Sequence, residues 1–447
     1  MEEATVVIVG AGFAGLTAAR ALRSRGVDVL VLESADRVGG RAFTVRSGAG
    51  TPVDLGGQWI GHDHTRVTAL ATEFGMRLFP TPAQGTPLLV DGGRKVGSAP
   101  LTTLSAGLAL LRLEMLSRLP FRAKTDRVTV ADWIARIPGR RARRLLDVIL
   151  SEALACDLDR VSVGALGTGL RSAGGLRVML GTAGGAQESL LSGGVGGLAD
   201  ALAAELGPVV HLSRPVTAMT RTADGVRVDT PSGPVRALRA IVTAPPPIAA
   251  AIGHEPPLPA QRLLAQTSTS MGTIYKAIAV YDTPFWREDG YSGEVLDLSG
   301  PVPAAFDASP DDGPGHLCVL VPGRSARALD RLSADDRRNT VLGSLAHHFG
   351  RRTMNPLSWH EKSWHHDPHV GGGYSAIPMP GALHALTHAA RPTGPIHWAG
   401  TETAPRWTGY LEGAVRSGER AAGEVAAALR AEPEQTEVAG RPRPLRG

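Results

Sequence analysis

The sequence predicts an α/β fold that begins with a parallel sheet, and three features near the N-terminus support this prediction. Residues 6–9 (VVIV) form a short, wholly apolar run, which is typical of a buried parallel strand. Residues 10–15 (GAGFAG) complete a G-x-G-x-x-G motif and lead into an expected helix over residues 16–25. Residues 27–32 are expected to form a second strand, which Glu33 closes. This order of strand, glycine motif, helix, strand and acid indicates a Rossmann-like fold.

The glycine motif predicts a dinucleotide site because each of its positions has a physical purpose. Gly10 permits a tight turn, Gly12 lets the backbone approach a pyrophosphate, and Gly15 allows helix and strand to pack closely. Free N–H groups at the start of the helix attract phosphates, and Glu33 can accept hydrogen bonds from a ribose. The motif alone leaves NAD and FAD open, and a glycine-rich turn that binds nothing is the alternative. The expected contacts of this stretch are Gly10, Ala11, Gly12, Ala14, Gly15, Glu33 and Ser34.

Length, charge and cysteine content restrict the class of protein. The chain has 447 residues, which suggests about two or three domains, and its hydrophobic content of 43% is that of a globular protein. The formal net charge is +5, but basic residues are scattered and aromatic residues make up only 4%, so we expect no nucleic-acid partner. The basic run at residues 140–144 is interpreted as a solvated helix face. Two cysteines, Cys156 and Cys318, support neither a disulfide framework nor a zinc site and fit a reducing compartment.

We expect a cytoplasmic protein without a membrane anchor. The first strand starts almost at the N-terminus, which leaves no room for a signal peptide. Residues 101–119 are rich in apolar side chains but include Arg112, Glu114 and Arg118, a spacing that favours an amphipathic helix over a membrane span. Residues 431–447 are polar and rich in proline, so we expect a disordered tail there.

Several segments resemble the flavin-containing amine oxidase family, in particular its monoamine-oxidase-like members. Residues 33–41 (ESADRVGGR) resemble the extended FAD fingerprint of that family, and residues 54–61 (DLGGQWIG) resemble its second flavin-contact segment. The most specific resemblance covers residues 397–404 (HWAGTETA) and 407–414 (WTGYLEGA), which match the family's C-terminal flavin segment. The resemblance implies FAD as the cofactor. It adds these cofactor contacts: Gly40, Arg41, Gly56, Gly57, Gln58, Trp59, Val216, Trp364, Gly400, Thr401, Glu402, Gly409, Tyr410, Leu411 and Ala414.

The resemblance extends in patches from residue 5 to about residue 425 and implies an amine-oxidase-type architecture. In that architecture a Rossmann-like FAD-binding domain is interrupted by an inserted α+β substrate domain. We assign residues 1–80, 193–265 and 380–430 to the FAD-binding domain. Residues 81–192 and 266–379 are assigned to the substrate domain, and a homodimer is compatible with this assignment.

Lys276 is the first candidate catalytic residue. In a strand over residues 273–281, one face carries Ile274, Lys276, Ile278 and Val280, which places an ammonium among aliphatic side chains. The chain has few lysines and many arginines, so a lysine here indicates a special requirement. The alternative is a lysine that is paired or that extends its charge to solvent. In the family that this chain resembles, a buried lysine holds a water at flavin N5.

Two tyrosines and a glutamine are the candidate substrate contacts. Trp364 precedes Tyr374 by ten residues, which is the spacing of a flavin-side tyrosine in monoamine oxidases. Tyr410 matches the second tyrosine of that family's aromatic cage, so the resemblance implies that both tyrosines hold the amine and are catalytic. It also implies that Gln187 reaches the same cavity, with a surface-loop glutamine as the alternative. Relatives that bond FAD covalently carry cysteine directly before the first tyrosine, whereas this chain has Gly373, so we expect non-covalent FAD.

No metal site is expected. A group of histidines lies close together in the sequence: His360, His365, His366 and His369. However, Asp367 and Pro368 interrupt any helical ligand spacing, and no cysteine is near. His62 stands where the family usually has proline, and we assign it no role.

These interpretations together predict an FAD-dependent amine oxidase. It would oxidise an amine to an imine, which hydrolyses to an aldehyde, while dioxygen is reduced to hydrogen peroxide. An L-amino-acid oxidase or a tailoring oxidase of natural products is the alternative, and a flavin-binding scaffold without turnover is a further one. Amino-acid oxidases of this superfamily commonly place an arginine in the segment that matches residues 56–61, where this chain has Gln58 and Trp59. We therefore expect an amine without an α-carboxylate, and we find no acidic residue to assign to a distal ammonium.

Overall fold

The chain folds around two large β-sheets, and the computed structural model describes residues 2–97, 100–119 and 123–431. The first sheet has eight strands: β1 (Glu2–Val9), β2 (Val29–Leu32), β9 (Val210–His211), β10 (Ala218–Thr222), β11 (Gly225–Asp229), β12 (Val235–Val242), β13 (Gly253–Glu255) and β21 (Ile396–Trp398). β1 pairs in parallel with β2 and β12, and β12 pairs in parallel with β21. This parallel core is the Rossmann-like fold that the glycine motif predicts.

The second sheet has seven strands: β6 (Thr86–Asp91), β7 (Arg94–Lys95), β15 (Ile274–Tyr281), β16 (Tyr291–Asp297), β17 (Ala304–Asp307), β18 (Gly315–Pro322) and β19 (Ser358–Ser363). Their spatial order is β19-β15-β18-β17-β16-β6-β7. Three further pairs of strands form small sheets of their own: β3 (Thr44–Arg46) with β4 (Pro52–Asp54), β5 (Leu78–Pro80) with β8 (Ser189–Leu191), and β14 (Thr269–Met271) with β20 (Ala376–Pro378).

Helices cover the first sheet and form a layer of their own in the inserted segment. Their bounds are α1 (Phe13–Arg23), α2 (Thr65–Glu73), α3 (Pro100–Arg118), α4 (Ala123–Arg127), α5 (Val130–Ala135), α6 (Arg140–Leu154), α7 (Val163–Ser172), α8 (Leu176–Leu180), α9 (Val195–Leu206), α10 (Pro246–Ala249), α11 (Ala260–Thr267), α12 (Gly323–Leu329), α13 (Ala334–Phe349) and α14 (Leu411–Ala431). A Cβ at Gly418 of α14 would lie 2.2 Å from the Ala14 carbonyl oxygen of α1. Glycine is therefore required where the first and last helices cross.

The carboxyl ends of β1, β12 and β21 meet at one edge of the first sheet. The Thr243 N–H after β12 donates to the Val9 carbonyl of β1 at 2.9 Å. The Ala399 N–H after β21 donates to the Val242 carbonyl at 2.9 Å. In doubly wound sheets, ligands bind outside this edge, so the fold places the glycine motif where a dinucleotide can lie across the strand ends.

Several element boundaries differ from the predictions. α1 covers Phe13–Arg23 rather than residues 16–25, because the Leu16 N–H already bonds to the Gly12 carbonyl at 2.9 Å. β1 begins at Glu2 rather than at residue 6, and β2 begins at Val29 rather than at residue 27.

The prediction of an amphipathic helix over residues 101–119 is wrong in one respect. α3 forms and buries small side chains such as Ala106 and Ala109, but its outer face is apolar as well. The exposed apolar side chains are Leu101, Leu104, Leu108, Leu111 and Met115. None of the helices in the described ranges is both long and apolar enough to cross a membrane.

Each sheet draws its strands from separate parts of the chain. The first sheet uses residues 2–32, 210–255 and 396–398, and the second uses residues 86–95 and 274–363. This division supports the proposed segments of the FAD-binding and substrate domains, whose boundaries stay a proposal. Of the predicted tail at residues 431–447, Ala431 is the last residue of α14, and residues 432–447 lie outside the described part of the chain.

Candidate active site

A cavity of about 990 Å³ opens at the carboxyl edge of the first sheet. Its wall combines the glycine turn, β15 of the second sheet, and parts of α6 and α7. With two exceptions, Ala11 and Gly15, every residue predicted as a cofactor, catalytic or substrate contact lines this cavity. The fold therefore brings together side chains that the sequence spreads from Gly10 to Ala414.

The glycine turn has the shape that its sequence predicts. Gly10 has a φ of +104°, a conformation that favours glycine, and a Cβ there would lie 2.5 Å from the Thr243 hydroxyl oxygen. A Cβ at Gly15 would lie 1.9 Å from the Gly10 carbonyl oxygen, so Gly15 permits close packing behind the cavity wall. Gly12 is the N-cap of α1 and no side chain caps this helix, which leaves its first N–H groups available to an anion.

Glu33 closes β2 and fixes the glycine turn. Its carboxylate accepts the Ala11 N–H at 2.6 Å and the Ala35 N–H at 2.9 Å. The Ala11 N–H thus holds the Glu33 carboxylate; Ala11 is not among the residues that line the cavity, and its contact with the cofactor stays a prediction. The hydroxyl of Ser34, a predicted contact, lies 3.0 Å from Nδ1 of His369.

Arg41 connects the glycine-rich segment to the C-terminal segment. Its Nη1 donates to Glu402 Oε1 at 2.7 Å and to the Tyr374 carbonyl at 2.8 Å. Burial pushes the pKa of the Glu402 carboxyl upward, but Arg41 beside it and the Ala376 N–H hold that pKa below its ordinary value. The observed partner of Arg41 is thus a carboxylate, and its contact with a phosphate stays a prediction.

Lys276 lies on the predicted face of β15 and is 3% exposed. Its Nζ donates to the Gly56 carbonyl at 2.8 Å and to the amide oxygen of Gln58. Ile278 and Val280 of the same face pack in one buried cluster, so the predicted alternation of this strand is confirmed. The lysine does not extend its charge to solvent, and its partners are two neutral oxygens.

The charge on Lys276 is poorly solvated. Burial lowers the pKa of this ammonium, and the nearby Cys318 and Asp54 oppose that shift. Burial also raises the pKa of Asp54 to about 6. A buried ammonium whose hydrogen-bond partners are neutral interacts strongly with any negative charge that forms beside it.

Two buried donors next to Lys276 show that the cavity wall fits a polar ring. Nε2 of Gln58 and Nε1 of Trp59 have no hydrogen-bond partner among the described residues, and both residues line the cavity. A buried donor without a partner costs about 1–3 kcal/mol. The flavin ring of FAD offers carbonyl and ring-nitrogen acceptors, so the donor set here suits it.

Tyr374 and Tyr410 both line the cavity, as predicted. The Tyr374 hydroxyl is buried and has no partner within the described ranges. Tyr410 packs edge-on against Trp407, with ring centroids 5.2 Å apart, and against His64 at 5.6 Å. Burial, with the charge of Glu152 added to it, raises the pKa of both phenols, so both stay neutral at physiological pH.

The loop that carries Tyr410 is held from two sides. The Thr401 hydroxyl accepts the Gly409 N–H at 2.8 Å and donates to the Tyr410 carbonyl at 3.0 Å. Burial lowers the pKa of His64 to about 4, so its neutral Nδ1 accepts the Gly61 N–H at 2.9 Å. Because both supports are buried, the Tyr410 ring has a fixed place in the wall.

Trp364 and Gln187 complete the predicted wall. Nε1 of Trp364 donates to the Leu55 carbonyl at 2.7 Å, which fixes the indole behind the second flavin-contact segment. Gln187 lines the cavity, which favours the cavity assignment over a surface-loop glutamine.

Sequence reasoning missed four residues of the site, namely Arg37, His64, Glu152 and His369. Arg37 donates to the carbonyls of Val38 and Gly40 and thereby shapes the turn after Glu33. Glu152 was detectable, since it follows Leu145 and Ile149 at helical spacing on α6 and so stands on an apolar side. The two histidines have no comparable signal, because their partners are distant in sequence.

His62, His365, His366 and the basic run at residues 140–144 do not line the cavity. His365 Nε2 and His366 Nε2 lie 2.7 and 3.4 Å from Asp330 Oδ2, an arrangement that could hold a metal ion. Asp330 is distant from the histidines in the sequence, so their spacing alone does not reveal this group, and the expectation of no metal stays a prediction. His62 contacts Glu188 on the surface at 3.0 Å. The basic run is only partly a solvated face, since Arg141 and Arg144 both bond to Asp91.

Known proteins that resemble this chain in sequence and in structure include flavin-containing and amine-oxidising enzymes. AofH of Mycobacterium tuberculosis, named as a flavin-containing monoamine oxidase, is 40% identical over 443 residues that cover 95% of this chain and 97% of AofH. The L-amino acid dehydrogenase of Synechocystis is 33% identical over 93% of this chain and 93% of its own. The structure of cyclohexylamine oxidase from Brevibacterium oxydans superposes with a TM-score of 0.91 at 31% identity, over 96% of this chain and 99% of that one.

The sequence profile of the flavin-containing amine oxidoreductases matches residues 13–426, which is most of the chain. The unpartnered donors, the glycine turn and the paired tyrosines fit the cofactor and substrate of such an enzyme. This protein therefore belongs to the flavin-containing amine oxidoreductase family, and its cofactor is FAD.

Proposed function

We propose that this flavin-dependent amine oxidase passes electrons from a small-molecule amine to dioxygen and releases hydrogen peroxide. The observation that supports the proposal is a single cavity wall that joins the glycine turn, the buried Lys276 and two neutral tyrosines. A nucleotide cradle, a buried cation and an uncharged aromatic site together suit the oxidation of an amine by a bound flavin.

The residues of the chain bind, orient and exclude water, while FAD, when bound, supplies the redox chemistry. Gly12 and Glu33 would hold the nucleotide part, and Gln58 and Trp59 would hold the ring through their unpartnered donors. FAD is held without a covalent bond, because Gly373 offers no thiol beside Tyr374.

Tyr374 and Tyr410 orient the amine. Because burial keeps both phenols neutral, neither places a negative charge beside the reacting nitrogen that would hold it in its protonated form. Their ring faces favour a neutral amine, and the Thr401 and His64 supports keep the Tyr410 face in place. Lys276 acts in the second half of the reaction, when dioxygen takes up electrons and negative charge develops on it beside a buried ammonium.

The substrate is an amine without a free α-carboxylate. Arg37, Arg41 and Arg171 are the arginines of the described wall, and each already has partners. Arg37 donates to backbone carbonyls, Arg41 to Glu402, and Arg171 to the carbonyls that end α3. The similarity to an L-amino acid dehydrogenase favours amino acids as the second candidate, with Arg171 as the group that would have to be freed.

A peroxide assay with a panel of amines and matched L-amino acids tests these proposals. We expect peroxide with amines, and bleaching of the bound flavin by amine in the absence of air. A protein that binds FAD but is bleached by neither class of compound would instead be a scaffold. Cell fractionation and light scattering would test the cytoplasmic location and the homodimer, which stay predictions.

A further inference from the structure

Glu152 is a buried carboxylate that faces the cavity without a partner. It lies in the last turn of α6, lines the cavity, and is 8% exposed. Its carboxylate makes no hydrogen bond and no ion pair with any residue of the described ranges. A buried carboxylate is costly unless it is paired, so Glu152 either takes up a proton or pairs with a cation.

The groups around Glu152 do not supply a positive charge. Burial, with the nearby carboxylate of Glu294 on β16 added to it, raises the pKa of Glu152 to about 7. Burial also raises the pKa of Glu294. The remaining groups that sense the charge of Glu152 are Cys318, Tyr374 and Tyr410, each with a pKa raised by burial.

The cations elsewhere in the wall are engaged. Lys276 donates to Gly56 and Gln58, and Arg41 pairs with Glu402. Arg171 donates to the carbonyl of Leu119 at 3.0 Å. No residue of the described ranges thus offers a free cation to ionised Glu152, and a cation that pairs with it enters the cavity with a ligand.

That cation cannot be the reacting nitrogen itself. Oxidation of the C–N bond needs the neutral amine, and a carboxylate that bonded to this nitrogen would stabilise its protonated form. Glu152 lines the same cavity as Tyr374 and Tyr410, and its charge raises the pKa of both phenols, so a ligand held between the two rings can extend to it. The group that meets Glu152 is thus a second cation on the same molecule.

We propose that Glu152 binds the distal ammonium of a diamine and so determines substrate specificity. The inference rests on the proposed amine oxidation and narrows its substrate class to amines that carry a second positive charge. Glu152 is then the acidic residue for a distal ammonium, which the sequence alone did not identify. Contacts between a carboxylate and a cation in such a wall are strong because water competes poorly there.

The test compares diamines with monoamines of the same chain length in the holoenzyme. The probes are α,ω-diaminoalkanes and the matching n-alkylamines, and the variant is Glu152→Gln, which keeps the shape and removes the charge. We expect kcat/KM for the best diamine to fall by about 10- to 100-fold, while kcat/KM for its monoamine changes by less than about threefold. Asp147→Asn is the matched control, since it removes a carboxylate from the same helix outside the cavity wall and should leave the ratio unchanged.

The possible outcomes separate this inference from the proposed function. An equal fall for diamines and monoamines would mean that Glu152 accepts the proton of the reacting amine, and would overturn the inference. If Glu152→Gln leaves the ratio of kcat/KM for the diamine to that for the monoamine unchanged, the inference is overturned as well. If no amine is oxidised, the proposed function fails, but the subsite is still tested by the rise in thermal midpoint that 1,4-diaminobutane causes. A rise in the wild type that Glu152→Gln abolishes would support the subsite, and equal shifts would refute it.

Discussion

Replacing Lys276 by methionine tests the role of the buried ammonium. Methionine keeps roughly the length of the side chain and its packing within β15, but it removes the charge. Two acceptors, the Gly56 carbonyl and the Gln58 amide oxygen, lose their donor, and Asp54 loses a nearby positive charge. We expect the variant to bind FAD and to be bleached by amine without air, because neither step depends on this charge.

The size of the effect follows from the burial of Lys276. A unit charge that acts over about 4 Å at an effective dielectric constant of about 20 contributes about 4 kcal/mol, which is about 10³-fold in rate. Because burial lowers the pKa of Lys276, a fraction of the protein carries this lysine in its neutral form, and that fraction does not contribute the charge interaction. We therefore expect reoxidation by air to slow by about 10²-fold or more, a range typical for the loss of one electrostatic contact.

Stopped-flow absorbance separates the two halves of the reaction. Anaerobic mixing with amine gives the rate of bleaching, and mixing of the bleached protein with aerated buffer gives the rate of reoxidation. Lys362→Met is a close control, since Lys362 lies opposite Lys276 on the neighbouring strand but pairs with Asp367 and does not line the cavity. Reoxidation of Lys276→Met at the wild-type rate would refute the reasoning, and Lys276 would then be a buried lysine of structural importance alone.

Three further predictions concern the cofactor, the substrate and pH. Acid precipitation should release yellow flavin into the supernatant because Gly373 provides no thiol, and flavin that stays in the pellet would contradict this. Matched kinetics should give a higher kcat/KM for an amine than for the amino acid that bears the same side chain; the reverse order would show that an arginine such as Arg171 reaches the substrate. Glu152, whose pKa burial raises to about 7, is neutral below that pH and charged above it, whereas the distal ammonium stays protonated throughout. The ratio of kcat/KM for diamine to that for monoamine should therefore rise as pH increases through about 7, and Glu152→Gln should show a flat ratio.

The residues of the glycine turn and of β15 were predictable because their signals are local. Gly10 and Gly15 stand at fixed distances along the chain, and backbone geometry converts those distances into a turn and a close approach. In the same way, alternation with a period of two places Lys276 on the apolar face of its strand. Tyr374, Tyr410 and Trp364 were assigned through resemblance to a family, and the structure places all three in one wall.

The sequence by itself determined the dinucleotide turn, the buried lysine and the family, since each depends on the order and spacing of neighbouring residues. Only the tertiary structure decided the electrostatics of the site. Arg41 and Glu402 are 361 residues apart in the chain yet share a hydrogen bond, and Glu152 and Glu294 meet across a helix and a strand. Contacts of this kind, and the loss of water that shifts the pKa of each carboxyl, arise from how separate elements pack, which no local pattern of residues specifies.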